Sequence, residues 1–330
     1  MEIHMDEQTV LNFATPVISN SGTRELRTLY NAKLLSSFAS LVESAENGLQ
    51  TPFDVLKNRL RGIDSSRKLQ PRVFAAYHAL RTALEAQDIQ QVNHTLEAIQ
   101  QKISPPYVES GVTINTISST GYHAAIVRDI ESKNDFGTMS LVSPHVINEY
   151  DTLVREAISC IQTYASAMGN DFDTLLANLL LFKGPEGGKG LVGASDVRVF
   201  GEVYLRVNDL DQHPIVYIAE HLTHEVSHLY LHALMAFDPL ILNSSEERYE
   251  APIRPDLRPM FGIYHATFVL SRMVWVFSNI VQHQPEPHFT EALALFQKQF
   301  RKGFEVVTAH AKLTEAGRKI VDGYSQMMEG

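Results

Sequence analysis

Residues 218–233 read Ile218-Ala219-Glu220-His221-Leu222-Thr223-His224-Glu225-Val226-Ser227-His228-Leu229-Tyr230-Leu231-His232-Ala233. At ~100° per residue, Ile218, Leu222, Val226, Leu229 and Ala233 share one stripe. His221, His224, His228 and His232 form a second stripe about a third of a turn away, with Glu225 at its edge. The segment predicts an amphipathic helix that packs its apolar face into a core and presents imidazoles to a cavity. Residues 224–228 spell HExxH, so His224 and His228 lie one turn apart and can reach one metal ion. His221 and His232 flank them as outer support or substrate contacts. The bland alternative is an amphipathic helix whose histidines are solvated or hydrogen-bonded.

Outward from this helix the three- and four-residue period dominates. Helices are expected near residues 259–282, 288–310 and 314–328, and over Val146 to Tyr164. The first hundred residues also read as helical, with Leu26, Tyr30, Leu34, Phe38 and Leu41 on one stripe. Thr51, Pro52 and Asp54 predict one helix start, and Asp88 with Gln91 another. Short runs at Val112–Ile117, Ala124–Val127, Leu179–Phe182 and Val197–Val207 are read as strands. The fold expected is therefore α+β, predominantly helical, with a small central sheet and the HExxH helix. Ser104, Pro105 and Pro106 break the pattern. They divide the chain into a helical N-terminal unit, 1–104, and a metal-binding catalytic domain, 105–330, or lie within one continuous domain. The glycine-rich stretch 184–190 follows Lys183 and ends on Gly190. It lacks the first glycine and final hydroxyl of a phosphate loop and is a candidate lid.

Composition narrows the function. The chain has 330 residues, 44% of them hydrophobic, with a net charge of −10. That charge argues against a nucleic-acid partner. A single cysteine, Cys160, excludes an intramolecular disulfide and a cysteine-based zinc site. Residues 1–7 show neither the basic nor the apolar region of a secretory signal, and no run of ~18 apolar residues predicts a membrane span. A cytoplasmic location is expected. Fourteen histidines are many for this length.

Two histidine ligands call for a third. A metzincin would carry glycine at 231 and histidine at 234, and both positions are leucine. Glu246, Glu247 and Glu250 sit where a thermolysin-like site takes its glutamate. The other candidate is His265, on a predicted helix with Phe261, Phe268 and Val276 on the same side. Arg272 is seven residues on, two turns or ~10 Å along that face. This spacing suits an anion that touches the metal at one end and an arginine at the other. Arg254 and Arg258 lie in the proline-rich segment between the two helices.

These residues resemble the HExxH-motif peptide-modification proteins found with ribosomally made peptide natural products. The resemblance covers roughly residues 215–280. It rests on His224, Glu225 and His228, on Asp238, Pro239 and Leu240, and above all on the ordered run Arg248, Tyr249, Pro252, Arg254, Asp256, Arg258, Pro259, Gly262, His265, with Phe268 after it. It implies an iron(II)- and 2-oxoglutarate-dependent, O2-consuming β-hydroxylase of a ribosomally synthesised precursor peptide. His224, His228 and His265 would hold the iron. An arginine among Arg254, Arg258 and Arg272 would bind the distal carboxylate of 2-oxoglutarate. The usual triad of two histidines and one carboxylate is then replaced by three imidazoles. Glu225 would orient a ligand or a water, and His221 and His232 would be outer contacts to the peptide. Two alternatives stand beside this reading. One is a zinc metallopeptidase with Glu225 as general base. The other is a metal-free peptide-binding scaffold. Trp275, Phe296, Phe300 and Phe304 are better read as core than as a peptide channel.

Overall fold

Proline and aspartate set several helix starts. Pro71, Pro144, Pro214 and Pro287 each occupy a first-turn position, where the missing N–H costs nothing. The Asp88 carboxylate accepts the Gln91 N–H at 3.0 Å and caps another helix. The computed structural model describes residues 7–16, 22–49, 53–109, 111–118, 120–133, 137–185, 190–207 and 213–328. Over these residues the chain forms α1 (Glu7–Phe13), α2 (Gly22–Leu49), α3 (Asp54–Arg61), α4 (Pro71–Glu85), α5 (Ile89–Lys102), β1 (Thr113–Thr116), α6 (Gly121–Lys133), α7 (Pro144–Tyr164), α8 (Ser166–Leu175), β2 (Asn178–Phe182), β3 (Gly193–Ser195) and β4 (Glu202–Arg206). It closes with α9 (Pro214–Met235), α10 (Met260–His283), α11 (Pro287–His310) and α12 (Glu315–Met328). The α+β, predominantly helical class is thus the observed one, at 67% helix with a four-stranded mixed sheet.

The sheet runs β1-β2-β4-β3, with β1, β2 and β4 parallel and β3 antiparallel at one edge. Side chains alternate across it with the two-residue period of a strand. Leu179, Leu181, Val203 and Leu205 enter the main core. Leu180, Phe182 and Tyr204 enter a smaller core with Ile126, Val127 and Ile130 of α6. The main core takes residues from both sides of residue 104, Phe38 and Phe74 before it, Tyr150 and Phe268 after it.

Three expectations change. Of the expected strand Val197–Val207, only Glu202–Arg206 is one, and Val197–Val199 forms a 3₁₀ turn. Ala124–Val127 is not a strand but part of α6, where Ile126 and Ile130 share a buried face. A four-residue apolar run does not distinguish the two periods. On α2, Val42 rather than Leu41 is the fully buried end of the stripe. Thr51 and Pro52 lie outside the described residues, and α3 begins at Asp54. The central part of the 184–190 loop, residues 186–189, also lies outside them. Phe296 and Phe300 are core residues, each 2% exposed.

The two helices that carry the candidate ligands are the deepest. Ile218, Leu222, Val226, Leu229 and Ala233 of α9 are all fully buried, as the stripe predicts. α10 is long and apolar enough to cross a membrane by length and composition, but 78% of that window is buried inside the fold. Its apolarity is matched by protein packing.

Candidate metal centre

α9 and α10 bring histidines together from two directions. The Nε2 atoms of His224 and His228 are 3.2 Å apart, and their ring centroids 4.9 Å. Two imidazoles bound to one ion at ~2.1 Å, at about 100°, would have nitrogens ~3.2 Å and centroids about 5 Å apart. The pair therefore has the spacing of two ligands on one ion. His265, from α10, faces the same cavity, with its ring 5.9 Å from His228 and 5.8 Å from His232. The His228 distance is about 1 Å beyond the separation that a 100° angle at one ion sets. The Nε2 of His265 instead meets the Met235 sulfur at 3.0 Å, and Phe261 lies against its ring, centroids 4.2 Å apart. Among the described residues no group of three or more His, Cys, Asp or Glu is arranged to hold a metal. The donor set fits an ion at two positions, and the third requires His265 to turn from Met235.

Burial keeps these imidazoles neutral. It holds His224 down to about 4 and His265 to about 3, and it lowers His228 well below the ordinary imidazole value. A neutral imidazole is the form that binds a metal, so no proton has to be displaced near neutral pH.

Glu225 makes a contact of its own. Its carboxylate is buried, and Oε2 accepts the Ser195 hydroxyl at 2.8 Å. A Cβ on Gly193 would stand 2.9 Å from Glu225 Oε1, so glycine there leaves room for the carboxylate against β3. Burial raises the carboxyl to about 7, and the Ser195 bond opposes that rise. The residue ties α9 to the sheet edge.

The cavity has a volume of about 390 Å³ and holds His224, His228, His265, Arg254 and Arg258 in its lining, with no carboxylate among the described residues there. Arg258 is half-buried, its Nε 2.6 Å from the Asp256 carboxylate, while Arg254 is exposed. The segment between the helices is a closed loop rather than a free connector. Tyr249 and Arg258 exchange two backbone hydrogen bonds of 2.9 Å, and Ala251 and Pro252 are buried. The loop then feeds Pro259, which precedes α10, and one further turn delivers His265. The ordered run from Arg248 to His265 is thus the device that carries the chain from the rim of the cavity to its floor. Asp238 anchors the other end: its Oδ1 accepts the Leu240 N–H at 2.6 Å and the Thr314 hydroxyl at 2.7 Å.

Several expected site residues lie elsewhere. Arg272 is not at the cavity. It is 1% exposed and ion-paired with Asp171 of α8, with its guanidinium 4.6 Å from the Tyr230 ring. Seven-residue spacing placed it on the right stripe, but a buried carboxylate captures it. His221 is not in the cavity lining either; it packs edge-on to Tyr217, centroids 4.6 Å apart. His232 belongs to the histidine cluster through His228 and His265. Of the alternative glutamates, Glu247 is occupied by Lys312, by the Tyr249 hydroxyl at 2.6 Å and by Asn243, which hold its carboxyl down to about 2. Glu246 and Glu250 do not line the cavity.

Sequence reasoning missed Met235, Ser195 and Asp171. Met235 lies seven residues after His228 on α9, so helical period alone would place it beside the ligands. Ser195 and Asp171 come from separate elements and carry no local signal. No protein-family model matches the chain, and no curated protein matches it in sequence.

Proposed function

We propose that the protein is an iron(II)- and 2-oxoglutarate-dependent oxygenase that β-hydroxylates a residue of a ribosomally made peptide, acting in the cytoplasm. The observation that carries this reading is a cavity with a 3.2 Å pair of neutral imidazoles, a third histidine, two arginines and, among the described residues, no carboxylate in its lining. A site of this composition is cationic once a metal enters, and it favours a dianionic co-substrate over a water-activating glutamate.

His224 and His228 would hold the iron, with His265 completing the set. Bound iron, with 2-oxoglutarate and O2, would supply oxidation of a C–H bond coupled to decarboxylation of the co-substrate to succinate. Arg258, half-buried and held by Asp256, would take the distal carboxylate of the co-substrate. Glu225 would fix the angle of α9 through Ser195 and so orient both ligand rings. The buried faces of α9 and α10 keep bulk water from the floor of the cavity.

The zinc-peptidase alternative needs Glu225 to reach a metal-bound water, and its carboxylate is turned to Ser195 and Gly193. The test is incubation with a precursor peptide, iron(II), 2-oxoglutarate and O2, followed by mass spectrometry. A gain of one oxygen atom that needs both iron and 2-oxoglutarate is expected. Peptide cleavage with zinc, lost in Glu225→Gln, would replace this reading with the peptidase.

A further inference from the structure

The last turn of α9 carries a sulfur that holding an iron ion does not use. His232 and Met235 are three residues apart there and share a face. His265 meets that face from α10. Its Nε2 is 3.0 Å from the Met235 sulfur, and its ring centroid is 5.8 Å from that of His232. A nitrogen ~2.0 Å and a thioether sulfur ~2.3 Å from one ion stand ~3.0 Å apart when about 90° separates them. Two imidazoles with the His232–His265 ring separation meet a shared ion at a wide angle, about 130°. The two angles together describe a three-coordinate, T-shaped site. His228 pairs more closely with His224, at 4.9 Å between rings, than with His265 at 5.9 Å or His232 at 6.2 Å.

The donor set selects among metals. A thioether is a soft ligand and favours Cu(I) over the harder divalent ions. All three donors are neutral, since burial lowers His232 and holds His265 to about 3. A monovalent ion among neutral donors leaves one charge in the protein and a divalent ion two, and the cost of burying a charge grows with its square. The negative end of the α9 dipole lies at this turn and favours a cation. The wide angle suits an ion of low coordination number and not an octahedral one. We infer that His232, Met235 and His265 form a second, soft-metal site that takes Cu(I). Copper held there keeps His265 on Met235 and away from the His224–His228 pair. That it thereby competes with iron rests on the oxygenase reading; the copper site itself does not.

The test is an anaerobic titration of the full chain with Cu(I), against bicinchoninate as competing chelator and without iron or 2-oxoglutarate. One Cu(I) per chain is expected, with a sulfur neighbour in X-ray absorption. Met235→Leu nearly conserves the side-chain volume. It should keep the wild-type fold by circular dichroism, lower Cu(I) affinity at least about ten-fold and remove the sulfur signal. His232→Gln should weaken Cu(I) comparably. Cys160→Ser, which removes the one thiol of the chain, should bind Cu(I) as the wild type does. Failure of the wild type to take Cu(I) from the chelator, undiminished binding in Met235→Leu, or loss of binding in Cys160→Ser overturns the inference. Iron and 2-oxoglutarate binding would still stand in that event. Cu(I) bound through the Met235 sulfur in a chain that takes up no iron would instead remove the oxygenase reading and leave the copper site.

Discussion

His265 and Arg272 occupy one stripe of α10, two turns apart, and their surroundings are opposite in kind. At the His265 end the imidazoles are neutral, face a cavity and make few commitments: a methionine sulfur for His265, and each other for His224 and His228. At the Arg272 end the charges are paired and covered, with Arg272 Nε left without a hydrogen-bond partner. Asp171 pairs with the guanidinium, the Thr23 hydroxyl donates to Asp171, and Tyr230 and Phe268 cover the cation with their rings. A buried charge persists only with a partner, so this end is a sealed joint between α2, α8, α9 and α10. Buried imidazoles shed their charge and remain available. The first arrangement suits a ligand, and the second suits stability.

The sharpest way to break this contrast is Asp171→Ala. It strands the Arg272 cation in the core and should cost about 3–5 kcal/mol in urea denaturation. Removing both charges together, as Asp171→Leu with Arg272→Met, should recover most of that loss and leave metal affinity intact. A double variant that folds well but no longer binds metal would show that the sealed end also serves the site.

Acid should distinguish the two ends next. Burial depresses His221 to about 3, His224 to about 4, His265 to about 3, and His228 in the same direction. An unfolded imidazole titrates near ~6.5, so below that the unfolded chain takes up protons that the folded chain refuses. Stability from these groups is complete above about pH 6.5 and is lost as pH falls towards 4. Glu220 and Glu225, both raised to about 7 by burial, act oppositely: their contribution is present in acid and lost as pH rises through 7. Four imidazoles outweigh two carboxyls. Denaturation midpoints should show a loss of about 2 kcal/mol or more between pH 7 and pH 5, and His224→Gln with His265→Gln should flatten the profile.

Smaller effects probe the links around the site. Ser195→Ala removes the donor to a buried carboxyl and should cost about 1 kcal/mol, with the midpoint of thermal unfolding as readout and metal stoichiometry unchanged. Leu257→Ser, on the exposed part of the 249–258 loop, should move stability by less than about 0.5 kcal/mol. A larger loss would mean that this loop belongs to the core.

The same contrast shows what was legible in the sequence. The α9 stripe from Ile218 to Ala233 and the span of α10 follow from period alone, because long amphipathic helices repeat their signal over several turns. The His224–His228 pair follows too, since both members lie on one helix. The fate of Arg272 does not follow, because it depends on Asp171, a hundred residues away on another helix. Period gives the face of a helix, and the neighbour decides what that face does. For the same reason Ala124–Val127 reads equally well as a strand until α6 is seen to lay Ile126 and Ile130 on the second core. The loop 249–258 is legible as stiff and proline-rich, but its closure by Tyr249 and Arg258 is a tertiary fact.

The most direct test of the central claim is an anaerobic titration of the full chain with iron(II), with and without 2-oxoglutarate, for the wild type, His228→Ala and His265→Ala. One iron per chain should bind, 2-oxoglutarate should bind tightly only when iron is present, and both variants should lose at least about a hundred-fold in iron affinity while keeping the wild-type fold by circular dichroism. Undiminished iron binding in His228→Ala would contradict a metal centre on α9, and undiminished binding in His265→Ala would contradict the three-histidine site.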